Sequence, residues 1–177
     1  MKKMKLRISA LALLAIALLS ASCVKQKLET TYNSQEDKID QYIEKNRIIS
    51  GDTLRVVYNA GSSRLVTKEG EGPELAAYGN IAFYYAGYTF GGSISNSNLF
   101  STNHEPSATA AGWTLTEDEA KALTINLNDY RLLPGLKSGL IGVKGGEECQ
   151  ILFTGKYGFG NKEFGTIPAN SALVYMI

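Results

Sequence analysis

Side chains able to carry covalent or metal chemistry are few in this sequence. His104 is its only histidine, which sets aside His-rich zinc sites and His-based triads. Two cysteines, Cys23 and Cys149, lie far apart. No Walker-type phosphate loop and no dinucleotide-binding fingerprint is present. What remains is a surplus of aromatic and aliphatic residues near loops. No metal and no cofactor is expected.

The elements that must position those residues are read from composition and periodicity. A length of 177 residues suits one globular domain plus appendages. Ten tyrosines against one tryptophan, with 18 glycines, favour an all-β or α+β chain over a helical bundle, because rings suit pleated surfaces and glycine suits tight turns.

The first 22 residues read as an export signal. Lys2, Lys3, Lys5 and Arg7 make a basic start, Leu11 to Leu19 is an apolar run, and small residues 20–22 lead to Cys23. The run is shorter than the ~20 residues that a membrane-spanning helix needs. Leu19-Ser-Ala-Ser-Cys23 resembles the lipobox of bacterial lipoproteins, with Ser20 where an aliphatic residue is usual. That resemblance implies lipidation of Cys23 and membrane attachment through the lipid. Without the signal, 14 basic residues face 17 acidic ones, so the mature chain is near −3 and lacks the clustered basic surface of a nucleic-acid binder. Cys149 is then left without an intrachain partner and reads as a small buried side chain.

Residues 23–33 read as a polar tether. Ser34-Gln-Glu-Asp37 reads as a helix start, and Ile39, Tyr42 and Ile43 give one apolar stripe for a helix over 34–48, packed on the flank of the domain. From Thr53 the period becomes two. Strands are predicted around Leu54–Tyr58, Arg64–Lys68 and Ile81–Thr89, with Tyr84 and Tyr88 turned away from Tyr85. Residues 91–113, rich in Gly, Ser and Asn, read as a long loop. Thr116-Glu-Asp-Glu119 matches a capping box at the start of a helical turn or two. Leu123, Ile125 and Leu127 form a fourth strand, Pro134 opens a short helix, Cys149, Ile151 and Phe153 face inward from a fifth strand, and Leu173–Ile177 begins a sixth. The fold class is α+β, an antiparallel sheet crossed by one short helix, with its domain over 53–177.

The order of motifs carries a family resemblance. Leu132-Leu-Pro-Gly-Leu-Lys-Ser-Gly-Leu140, Val143-Lys-Gly-Gly146, Tyr157-Gly-Phe-Gly160 and Ile167-Pro-Ala-Asn-Ser-Ala-Leu-Val-Tyr175, with Tyr84-Tyr85-Ala-Gly87 upstream, resemble an FKBP-type peptidyl-prolyl isomerase. The resemblance runs from about Thr53 and is strongest from Leu132 onward. It implies a twisted antiparallel half-barrel wrapped around a short helix, and interconversion of cis and trans X–Pro bonds. Such a reaction cuts no bond, so an apolar pocket that dries and twists the amide suffices.

Carried over residue by residue, the resemblance places Tyr85, Phe100, Leu133 and Phe159 as catalytic positions, and Leu123, Leu132, Leu136, Ile167 and Tyr175 as substrate-binding ones. The backbone N–H of Leu133 would donate to the substrate carbonyl, and Leu136 would floor the pocket where the best-known members have Trp. Phe159 stands where many members have Tyr, and Ser101 where many have Asp. Without the family register, Leu123, Leu132, Leu136, Phe159 and Tyr175 would read as ordinary core residues. His104-Glu-Pro106 offers an internal proline that could occupy the pocket, and Trp113 reads as a staple for the helix after it.

The partners implied are proline-containing polypeptides and, by resemblance, macrolide-type inhibitors. The function that follows is an isomerase for exported proteins in the envelope of a Gram-negative bacterium, lipid-anchored in the outer membrane and facing the periplasm. A catalytically weak chaperone or binding module on the same fold is the alternative, and a structural component of an envelope complex a third. The sequence also stops at Ile177, a few residues before the family's last strand usually ends: either this strand is short or the chain is truncated, which would weaken the sheet near Tyr175.

Overall fold

The computed structural model describes residues 25–49 and 51–177. The expected export signal and Cys23 lie outside the described residues. The chain divides into two compact units, Met1–Ser34 and Gln35–Ile177, and everything that bears on the site lies in the second. In the first, residues 25–34 are helical, with the Thr30 and Thr31 hydroxyls donating to the carbonyls of Gln26 and Lys27.

Residues 25–46 make up helix α1. The strands follow as β1 (Ile48–Ile49), β2 (Asp52–Thr53), β3 (Val56–Asn59), β4 (Ser62–Lys68), β5 (Asn80–Phe83), β6 (Ala86–Phe90) and β7 (Leu99–Thr102). Helix α2 (Glu105–Ala110), strand β8 (Leu123–Asn126), helix α3 (Pro134–Leu140) and strands β9 (Glu148–Phe153) and β10 (Ala172–Met176) complete the chain. Six strands form one antiparallel sheet in the order β3-β4-β9-β10-β6-β7, while β5 pairs with β8 and β1 with β2. The α+β architecture read from the sequence is the one found.

Alternation along β9 and β10 sets two apolar layers. Cys149, Ile151, Phe153, Leu173 and Tyr175 face α3 with Leu136 and Leu140. Leu152, Ala172 and Val174 point to the other face, where they meet Ile39 and Ile43 of α1 with Tyr88 and Phe90. Both faces of the central strands are therefore covered. Ile43 has no exposed surface, and burying such a side chain fully is worth about 1.5–3 kcal/mol. Helix α3 lies close on the sheet because Gly135 and Gly139 lack a Cβ; one added there would collide with Phe153 and Ile151. Arg64 of β4, 2% exposed, holds the far end of α3. Its Nη1 donates to the carbonyls of Gly139 at 2.7 Å and Ile141 at 2.8 Å, a cation where the helix dipole favours one. Its Nε lies 3.2 Å from Oε1 of buried Glu147, an ion pair without hydrogen-bond alignment.

Several local expectations are corrected. The expected tether is helical from residue 25, and Ser34 lies inside α1 rather than at its start. Long charged and polar side chains support a helix there without an apolar stripe. The strand expected over Ile81–Thr89 is two, β5 and β6. Tyr84 and Tyr85 separate them, and the Tyr85 N–H donates to Oδ1 of Asn103 while the Tyr85 carbonyl accepts from Asn103 N–H. The expected loop over 91–113 holds β7 and α2. Pairing with β6 makes β7 a strand despite its composition, and Pro106 suits the first turn of α2. Trp113 is 41% exposed, and residues 117–120 form a turn where the helix was expected, so it staples none. The capping box does form, with Thr116 N–H donating to Glu119 and Glu119 N–H to Thr116 Oγ1, but it closes a turn.

Candidate functional site

The ring of Tyr175, in the middle of the β10 face that meets α3, is the hub. It stacks on Phe153 at a centroid distance of 6.0 Å, lies 6.0 Å from Tyr85, and meets Phe100 edge-on at 5.8 Å. Such offset and edge-on pairs are favoured by the ring quadrupoles. Gly87 of β6 makes room for them, since a Cβ there would stand 2.8 Å from Phe100 Cζ and 3.1 Å from Tyr175 Cε1. Burial first, and then the neighbouring Tyr85, pushes the Tyr175 phenol well above its ordinary value, so the ring is neutral.

Tyr85 is fixed at both ends. Asn103, buried, clamps its backbone, and Thr102 Oγ1 donates to its carbonyl at 2.6 Å. The Tyr85 hydroxyl shares a 2.8 Å hydrogen bond with Ser101 Oγ. The position read as a lost carboxylate thus still supplies the tyrosine with a polar partner.

Leu136 and Ile167, both buried, join Tyr175 in one apolar cluster, and Tyr85, Phe100, Leu132, Leu133 and Phe159 pack against it half-buried. Leu133 is the N-cap of α3 at φ −59°, ψ 134°, followed by Pro134 at the first turn. Its carbonyl accepts from Lys137 N–H, and no described residue accepts its own N–H. The reversal that carries Ile167 is closed by paired backbone bonds with Phe164 at 2.9 and 3.0 Å. Phe159 stacks on Phe164 at 4.7 Å, the planes 5° apart.

Eight of the nine expected pocket positions are therefore brought together. Leu123 is not one of them: it opens β8 opposite Phe83, 39% exposed and outside the cluster. A strand end leaves its side chain without a covering layer, which period-two alternation alone does not reveal. Pro106 is exposed at the start of α2, and no contact places it among the aromatic residues. Sequence reasoning missed Phe153 as the ring beneath Tyr175, and Phe164 as the partner of Phe159. The first was read only as an inward strand residue. The second is 62% exposed in a glycine-flanked turn and carried no signal beyond its nearness to Ile167.

A model of the family described as FKBP-type peptidyl-prolyl cis-trans isomerase matches residues 85–177. The chain belongs to that family. FK506-binding protein 1 of Aspergillus oryzae is 26% identical to it over 117 residues, which cover 66% of this chain and 94% of the relative. Among solved structures, FkpA from Escherichia coli superposes with a TM-score of 0.53 at 20% identity, covering 93% of this chain and 67% of that one. A peptidyl-prolyl cis-trans isomerase from Pseudomonas syringae pv. tomato gives 0.54 at 16% identity, covering 84% and 90%. These two likenesses speak for the fold alone. The activity of the family is rotation about X–Pro amides, a step whose barrier of ~18–20 kcal/mol comes from amide resonance. It needs no nucleophile.

Proposed function

We propose that this protein is an envelope lipoprotein, anchored through Cys23 in the outer membrane and facing the periplasm, that isomerises X–Pro bonds of exported polypeptides in the pocket around Tyr175. The unpartnered N–H of Leu133, beside that pocket, is the observation that carries the site assignment. Water stabilises the planar, charge-separated amide more than the twisted one. A dry aromatic site with one fixed donor therefore favours the twisted state over the ground state, which is the differential binding that catalysis requires. Tyr85, Phe100 and Phe159 wall the proline ring, Leu132 and Ile167 flank it, and Leu136 and Tyr175 form its floor. Proline-containing polypeptides are the substrates, and macrolide-type inhibitors would compete for the same surface.

Leu133→Pro tests the site. Proline adopts φ near −65°, close to the −59° found here, so the substitution removes the N–H without straining its own backbone torsion. Isomerisation of a proline peptide is expected to fall roughly twofold to tenfold, since a hydrogen bond is worth ~0.5–1.5 kcal/mol net and ~1.36 kcal/mol is a decade of rate. Full activity in a folded variant would move the donor elsewhere. The anchor is tested separately: labelled palmitate is expected to enter the wild-type chain and not a Cys23→Ala variant, and equal labelling would sink the lipoprotein reading.

A further inference from the structure

The chain between β9 and β10 carries Phe159 and Ile167, two of the residues proposed to line the prolyl pocket, and helix α1 reaches its base through one side chain. Gln35, half-buried, accepts from the Gly155 N–H at 2.9 Å and donates to the Asn170 carbonyl at 2.6 Å. Two backbone bonds complete a closed ring. Gly160 N–H donates to the Gly155 carbonyl at 3.0 Å, and Asn170 N–H to the Gly160 carbonyl at 2.6 Å. We infer that Gln35 is a positioning residue of the prolyl pocket, a clamp on α1 that sets where Phe159 and Ile167 stand. Its bearing on catalysis rests on the isomerase reading of that pocket.

The ring divides residues 155–170 into two lobes that meet at Gly160. Residues 155–160 bear Phe159, and residues 160–170 bear Phe164 and Ile167. At their outer ends the lobes touch through the stack of Phe159 on Phe164, and Phe164 is tied to Ile167 by paired backbone bonds. At their base the ring joins them. The β9–β10 ladder ends at Phe153 opposite Leu173, so Gln35 carries the junction past the sheet, to Gly155 and Asn170. The two backbones approach closely there: a Cβ on Gly155 would stand 2.5 Å from the carbonyl carbon and oxygen of Asn170. Asn170 adopts φ +59°, a left-handed conformation that asparagine tolerates better than most residues. A primary amide suits the place because it presents an acceptor and two donors in one plane, and its two partners fix which end faces which.

Helix α1 is held independently of the ring. Ile39 and Ile43 pack with Leu152 and Val174 in the apolar layer on the other face of the sheet, so the clamp ties the two lobes to an element anchored elsewhere. The consequence for catalysis is specific. Phe159 and Ile167 meet the proline ring, whose contacts stay the same while the amide twists. Leu133, whose N–H meets the substrate carbonyl, starts α3 and takes no part in the ring. Displacing Phe159 and Ile167 alone therefore removes binding that the ground state and the transition state share, which raises KM and leaves kcat unchanged.

The test compares Gln35→Leu with the wild type in the full chain, labelled with 4-fluorophenylalanine. Leucine keeps the helix and the apolar stem and removes both bonds. KM for a short proline peptide is expected to rise roughly twofold to tenfold, the worth of one net hydrogen bond, with kcat unchanged. The fluorine signals of Phe159 and Phe164 should shift or broaden, while that of Phe90, beside Tyr42 of α1, stays in place. Gln35→Glu, ionised, keeps the acceptor for Gly155 and loses the donor to Asn170; amide exchange at Gly155 should stay slow while KM still rises. Ile43→Ala is the stability control, because it loosens the same helix without touching the ring and should leave KM and kcat as they are. An unchanged KM in folded Gln35→Leu overturns the inference. So does an equal rise in Ile43→Ala, since α1 would then act through stability alone. No isomerisation by the wild-type chain would instead overturn the isomerase reading, and the fluorine signals would still decide whether Gln35 holds Phe159.

Discussion

The hydrogen bond between Tyr85 and Ser101 offers the sharpest test of how the pocket is held. Its oxygens lie 2.8 Å apart, and both residues are half-buried. Ser101→Ala deletes the partner and leaves the tyrosine hydroxyl to whatever water reaches it. A neutral hydrogen bond contributes about 0.5–1.5 kcal/mol net. At 1.36 kcal/mol per decade of rate, kcat/KM for a proline peptide is expected to fall roughly twofold to tenfold if the bond orients the ring for catalysis. Tyr85→Phe removes the same bond from the other side and keeps the ring. The double variant should then lose little more than either single one, a coupling of about 0.5–1.5 kcal/mol in the cycle. The assay is cis-to-trans relaxation of a short proline peptide at several enzyme concentrations, with urea unfolding run in parallel. Additive losses would refute the orienting role. Lower stability at an unchanged rate would show that the bond maintains the fold and nothing more.

Three further outcomes follow from the same geometry. Gly87→Ala places a methyl against Phe100 and Tyr175; a loss of about 1–3 kcal/mol by over-packing should accompany reduced inhibitor or peptide affinity, and an unchanged affinity would exclude Gly87 from shaping the pocket. Ile43→Ala should cost about 2–5 kcal/mol in urea unfolding with little change in kcat, whereas a loss under 1 kcal/mol would mean that α1 is only loosely docked. Burial pushes the Cys149 thiol up to about 12 and raises the Tyr175 phenol as well. Both groups keep their protons in the folded state at pH values where the unfolded chain has lost them, so stability is full below about pH 9 and falls as pH rises toward 12. Urea midpoints from pH 8 to 11 in a Cys23→Ser background check this, and a flat profile refutes it. In the same background a thiol reagent at pH 8 should not react before unfolding.

Much of this was legible in the sequence where chemistry is local. Pro134 after Leu133 marks the start of α3, and Cys149, Ile151 and Phe153 alternate as an inward face should. The motif order from Leu132 to Tyr175 picked out residues that share one apolar cluster, and several of its pieces sit at turns whose backbone demands are local too. What escaped depends on partners distant in the chain. Strand β7 exists through its pairing with β6, and composition had marked that stretch as loop. Leu123 alternates correctly yet stays exposed, because nothing covers that end of β8. The division at Tyr84 and Tyr85 reflects Asn103, whose backbone and amide both take up Tyr85, and no periodicity announces such a clamp.

Helix α1 has a consequence for the order in which the protein becomes native. Its Ile39 and Ile43 share a cluster with Tyr88 and Phe90 that is completed by Leu152, Ala172 and Val174, and Gln35 donates to the Asn170 carbonyl while accepting from Gly155 N–H, 135 and 120 residues away. Contacts of that span close late, because a long loop must be ordered before they form. An emerging chain therefore carries an unmatched amphipathic helix until β9 and β10 are both available. Of the elements that build the domain, the helix made before the sheet is the one that waits longest for its partners.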